Sequence, residues 1–144
     1  MPSPELERRV TAARSELDAD ADAVEWSSDR DEPFSETIST VLCIGSLPDS
    51  ESDVVNVLGR WKRDLNVGAE LRLIERVRRT PSRITSVLRA HPDSYSRDVV
   101  AALRATGWVI TAIDRIDVRV NGAMQRWVDL RATDVRGQVA REPT

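Results

Sequence analysis

Cysteine, histidine and lysine each occur once in this 144-residue chain, as Cys43, His91 and Lys62. A single cysteine excludes an intrachain disulfide. Cys43 sits inside an apolar run, which reads as a buried, inert thiol rather than a nucleophile. With one histidine and no cysteine pair, the common zinc ligand sets cannot be assembled, so no metal site is expected. Any Ser-His-Asp or Cys-His catalysis would have to pass through His91. Long apolar runs are missing, as is a signal-peptide pattern, so a cytoplasmic chain with no membrane partner is expected. An excess of positive charge is missing too. The net charge of −3 argues against nucleic acid as a general partner. There is no internal repeat and no low-complexity segment.

What is present is a balanced composition, 40% hydrophobic and 31% charged, enough for one soluble domain with a single core. The basic residues are nearly all arginine, a bias that reflects genome composition rather than binding. The run Arg76-Val77-Arg78-Arg79 reads as a solvated loop or as a patch that touches phosphate.

Periodicity gives the order of elements. Ser3 caps a helix with Pro4 at its first position, and Leu6, Val10, Ala13 and Leu17 share one face. Ala23-Val24-Glu25-Trp26 is a short strand, followed by a polar loop over residues 27–37. Thr40-Val41-Leu42-Cys43-Ile44 is continuously apolar up to Gly45, the pattern of a strand buried on both faces of a parallel sheet. Pro48-Asp49-Ser50 leads into a helix with the stripe Val54, Val55, Leu58, Trp61 and Leu65, closed at Gly68. Leu71-Arg72-Leu73-Ile74 is the next strand. Thr80-Pro81 begins a helical turn that His91-Pro92 stops, and Ser96 caps a further helix ending at Gly107. Asn121-Gly122 is a strong two-residue hairpin signal between strands over about 109–120 and 123–132. Residues 1–133 therefore form one α/β domain, mostly parallel with a C-terminal antiparallel hairpin, and 134–144 a flexible tail.

Several local patterns, in this order, resemble class I S-adenosylmethionine-dependent methyltransferases of the small-molecule "type 11" group. Ser3-Pro4-Glu5-Leu6 resembles the helix start after that family's ribose-binding acid. Val24-Glu25-Trp26, Asp29 and Pro33-Phe34 resemble the third strand and the segment after it. Residues 40–47 resemble the fourth strand and the loop at the active-site mouth. Residues 65–71 and 103–108 resemble the glycine turns before the fifth and sixth strands. The resemblance covers residues 3–132 and implies a truncated Rossmann-like methyltransferase sheet. The family's Gly-x-Gly-x-Gly turn is missing, Met1-Pro2 stands where the ribose-binding acid would fall, and Ile38-Ser39 replaces an aromatic-Asp pair. That turn normally presents backbone N–H groups and a helix N-terminus to the cofactor.

The resemblance implies where a site would lie. Asp29 and Arg30 match the loop bordering the adenine, or are solvated loop charges. Ile44, Gly45, Ser46 and Leu47 match the carboxyl end of the fourth strand, or are simply a turn. Glu75 ends the fifth strand, and His91 and Tyr95 fall in the segment after it that covers the acceptor, as proton acceptors or as a helix-terminating His-Pro and a partly buried Tyr. Trp61, Trp108 and Trp127 read as core. S-adenosylmethionine is the implied cofactor, and it is expected not to bind this chain alone. A small-molecule methyl acceptor is implied if the chain is active. The alternatives are a methyltransferase completed by a segment not in the chain, a non-catalytic interaction or oligomerising module, and a gene fragment. In the family order the fourth strand pairs with the first and the fifth. Thr40–Ile44 is therefore expected either to leave an edge open to a second copy or another chain, or to have Ala23–Trp26 fold directly beside it.

Overall fold

The computed structural model describes residues 3–30, 34, 37–77 and 98–134. Its first helix, α1 (Pro4–Asp18), starts as its sequence dictates. The Ser3 hydroxyl accepts from the Leu6 amide at 3.4 Å, and Pro4 occupies a position with no amide to satisfy. Glu5 and Glu7 lie near the positive end of the helix dipole.

Strands β1 (Ala23–Trp26), β2 (Thr40–Ile44) and β3 (Glu70–Val77) run parallel, side by side, with Trp26 opposite Cys43 and Cys43 opposite Leu73. Helix α2 (Glu51–Asp64) connects β2 to β3. Helix α3 (Val99–Ala105) precedes the long hairpin of β4 (Val109–Val120) and β5 (Ala123–Thr133). The Asp98 side chain caps α3 through the Ala101 amide at 3.1 Å. Ser96, the cap expected from sequence, and the turn over residues 80–92 lie outside the described residues. At the hairpin tip Asn121 (φ 51°) and Gly122 (φ 81°) both take the left-handed conformation that a two-residue turn of this hand requires.

Strand β5 returns between β3 and β4, antiparallel to both, so the sheet order is β1-β2-β3-β5-β4. This is the α/β, mostly parallel sheet with a closing hairpin that the sequence predicts. β3 runs to Val77, three residues beyond the predicted strand. Of the two arrangements expected for Thr40–Ile44, the fold has the second: β1 pairs with β2 on one side and β3 on the other, leaving β2 no open edge.

The two faces of the sheet are covered differently. On one, Val41, Cys43, Leu71, Leu73, Leu130 and Ala132 meet Val54, Leu58 and Trp61 of α2 and Leu103 of α3 in one apolar core. Trp61 packs edge-to-face on Trp26, ring centroids 5.1 Å apart, and Trp108 donates its indole N–H to the Leu58 carbonyl at 3.1 Å. On the other, α1 contributes Ala13 to a small cluster with Leu42 and Ile74. Trp127, predicted as core, is only half-buried there and packs at the margin of this cluster.

Lys62 closes the corner where α2 meets β4. Its ammonium donates to the Gly107 carbonyl, lies 5.9 Å from the Trp108 ring centre and 3.8 Å from the Asp134 carboxylate. Asp134, predicted to begin the tail, is buried and joined to the turn before β3 by backbone bonds to Gly68 and Ala69. No helix among the described residues is long and apolar enough to cross a membrane.

Candidate ligand site at the carboxyl edge of the sheet

Parallel pairing brings the carboxyl ends of β1, β2 and β3 to one edge. Asp29 and Arg30 follow β1 in a 3-10 turn (Ser28–Arg30), and Ile44, Gly45, Ser46 and Leu47 lie at and just beyond the end of β2. The fold thus gathers these two predicted segments at the same edge. Asp29 is exposed, and its amide donates to the Ser27 hydroxyl at 3.3 Å. Leu47 is buried, Ile44 and Ser46 are half-buried and Gly45 is exposed. His91 and Tyr95 lie outside the described residues.

The turn after β2 is organised by Glu75. This carboxylate is fully buried on β3. It accepts from the Ser46 amide at 3.1 Å and from the Cys43 thiol at 3.3 Å. The Gly45 amide donates to the Ile74 carbonyl at 2.9 Å, and the Ser46 hydroxyl turns back to the Ile44 carbonyl at 3.2 Å. Gly45 has φ +61°, which disfavours any side chain. Space is not the constraint, because a Cβ there would meet only the Trp127 ring at 3.8 Å. The donors of this turn are therefore spent on protein acceptors. A buried carboxylate must be hydrogen-bonded to be tolerated, and the Ser46 amide and Cys43 thiol contribute to that. The sequence places Glu75 at the end of this strand and gives no sign of the contact, which depends on β2 and β3 pairing in register.

A larger network went unread in the sequence. Asp129 on β5 accepts both forks of Arg72, each at 3.2 Å, and also Arg9 of α1 at 3.1 Å. Arg9 reaches Asp114 at 3.0 Å and Glu5 at 3.1 Å. Arg131 joins Glu16 and Glu70, both at 3.0 Å. Arg14 grips Glu25 with two bonds. Hydrogen bonds to Asp114 and then Asp129 hold the Arg9 guanidinium further above its ordinary range, and Glu25 does the same for Arg14. At Arg131 burial works against the charge, and bonds to Glu70 and Glu16 more than offset it. The available signal was charge at alternate strand positions, Asp129 and Arg131, which marks a sheet face that is not apolar.

A cleft of about 720 Å³ opens beside the far half of the hairpin, lined among the described residues by Arg76, Val77, Asp98, Val100, Arg126 and Trp127, with others of β4 and β5. Among the described residues no group of three or more His, Cys, Asp or Glu side chains is placed to hold a metal ion.

No protein-family model matches the sequence, and no curated protein matches it. Solved structures do resemble the fold. Geranyl diphosphate C-methyltransferase from Streptomyces coelicolor, solved with geranyl diphosphate and S-adenosyl-L-homocysteine, is 17% identical, aligned over 73% of this chain and 50% of its own, with a TM-score of 0.48. A putative methyltransferase from Bacillus halodurans is 12% identical over 71% of this chain and 67% of its own, TM-score 0.47. A protein of echinomycin biosynthesis, where a disulfide is converted into a thioacetal, is 15% identical over 94% of this chain and 69% of its own, TM-score 0.47. The chain spans about half the length of the geranyl diphosphate enzyme. At these identities the similarity concerns the fold alone: an α/β domain with a five-stranded mixed sheet.

Proposed function

We propose that this chain is a methyltransferase-like α/β module that does not capture S-adenosylmethionine by itself and serves as an interaction module rather than an unaided catalyst. The observation that carries this reading is the pairing of β2. Both of its edges are occupied, by β1 and by β3. The resemblance would put the strand that leads into the cofactor's glycine turn against one of those edges. A cofactor of this kind needs convergent backbone N–H groups and close backbone approach. The sequence has no Gly-x-Gly-x-Gly, and the amides of Gly45 and Ser46 already donate to Ile74 and Glu75. The residues present at this edge do not fit the cofactor, and no methyl-transfer step is derived through it.

Calorimetric titration with S-adenosylmethionine tests the reading. No saturable binding is expected up to about 1 mM ligand. A one-site constant in the micromolar range would overturn it.

A further inference from the structure

We infer that the chain forms a twofold dimer by antiparallel pairing of β4 with β4 of a second copy, extending the sheet across the axis. The inference is independent of the cofactor reading above.

β2 is closed on both sides, so strand pairing between copies has to use an outer strand. The outer strand on one side, β1, is only four residues long, and short edges make poor templates. On the other side β4 has twelve residues, without proline or glycine, and among the described residues it pairs with β5 alone. The hairpin fixes which of its groups face outward. Val120 and Ala123 close a two-residue turn and therefore exchange hydrogen bonds. Alternation then turns the backbone of Ile116 and Val118 toward β5, and that of Ile113, Arg115, Asp117 and Arg119 toward the open edge. All four of these residues are exposed.

Charge selects the register. Centred on Ile116, Arg115 lies opposite Asp117 of the partner subunit, and Asp117 opposite Arg115 of the partner subunit. Ile113, 36% exposed, then faces Arg119 of the partner subunit, whose aliphatic stem can cover it. Moving the centre to Arg115 sets two arginines face to face. Moving it to Asp117 opposes two aspartates and brings Arg115 against Arg119 of the partner subunit. Opposite charges directly across a strand pair stabilise it and like charges destabilise it. A centre at Val118 also opposes Asp117 and Arg119 but carries Ile113 past the Asn121-Gly122 turn, so only the first register pairs residues 113–119 throughout without conflict. The register shift between Ile110 and Ala112 ends the regular strand, and with it the pairing.

Sedimentation equilibrium on the full chain tests this. Wild type is expected to dimerise with a constant in the range of roughly 1–100 μM, as suits a small interface. Arg115→Asp and Asp117→Arg each oppose like charges twice across the axis, and each should weaken the dimer by at least about tenfold. Mixed together, these two variants are complementary and should form a heterodimer as tight as wild type. The doubly exchanged chain, carrying both substitutions, should recover the homodimer. As a second readout, amide exchange at residues 113, 115, 117 and 119 should slow with rising protein concentration. A wild-type chain that stays monomeric to about 500 μM overturns the inference. So does a single variant that dimerises like wild type, or a mixture that fails to associate.

Discussion

The two faces of this sheet are held by different forces. Beneath α2 and α3 the contact is apolar, and Val54, Leu58, Leu73 and Leu103 are all fully buried. Beneath α1 the buried part is only Ala13, Leu42 and Ile74, with Leu6, Val10, Leu17, Ile44 and Trp127 half-buried around it, and arginine–carboxylate pairs complete the contact. Apolar burial is non-directional and tolerates sliding. Paired guanidinium and carboxylate groups have fixed geometry and lose their contribution when displaced. The first face supplies most of the stability. The second fixes where α1 lies.

The largest effect should come from the apolar face. Leu58→Ala removes a fully enclosed side chain and should cost about 2–5 kcal/mol in urea unfolding. A loss below about 1 kcal/mol would mean that this face is not the main core.

Asp129→Ala comes next, at about 2 kcal/mol, because it removes the bidentate partner of Arg72 and one partner of Arg9, leaving Arg72 with Glu16 and Arg9 with Asp114 and Glu5. The cost is lower than for a fully enclosed pair, since the Arg9 side chain is 27% exposed. Amide protection should fall in α1 and hold in α2. Equal losses in both helices would erase the distinction between the faces.

Salt and pH sharpen the contrast. Raising sodium chloride to about 1 M should shrink the Asp129→Ala effect and leave the Leu58→Ala effect almost unchanged. A raised basic pKa contributes stability that is fully present below the group's ordinary value and is lost only as pH rises through the folded one. For Arg9, Arg14 and Arg131 that window lies at strongly alkaline pH. Exchange protection of α1 should therefore stay flat between about pH 6 and 9. A step inside that window would assign α1 docking to a different group.

The smallest effect is at Arg14, whose two bonds to Glu25 lie at the surface. Arg14→Ala should change stability by less than about 0.5 kcal/mol. A larger loss would extend the charged face further than its burial suggests.

How much of this was legible depended on sequence distance. The Asn121-Gly122 tip, the continuous apolar run of β2 and the stripe of α2 are local patterns, and each forms where it was read. The apolar pattern predicts β3 only to Ile74, because a charged residue follows. Glu75 is instead an interior strand residue whose carboxylate accepts from the Cys43 thiol on β2 and the Ser46 amide just beyond it. The charged face joins Arg9 to Asp114 and Asp129, residues 105 and 120 positions apart, and no local periodicity reports such a pair. Of the candidate site, the fold brings residues 29–30 and 44–47 to one edge of the sheet. The hydrogen bonds that occupy the turn after β2 come from register and could not be read in advance.

The corner at Lys62 gives the molecule a covalent footprint of its own. Lys62 carries the only lysine ε-amine in the chain, and in the fold that amine lies against a carbonyl and beside an indole ring. The side chain keeps 14% of its surface exposed, so acylation there should be slowed rather than blocked while the corner is closed. Its rate, set against that of an unstructured lysine peptide, then reports at a single residue how firmly the corner is held.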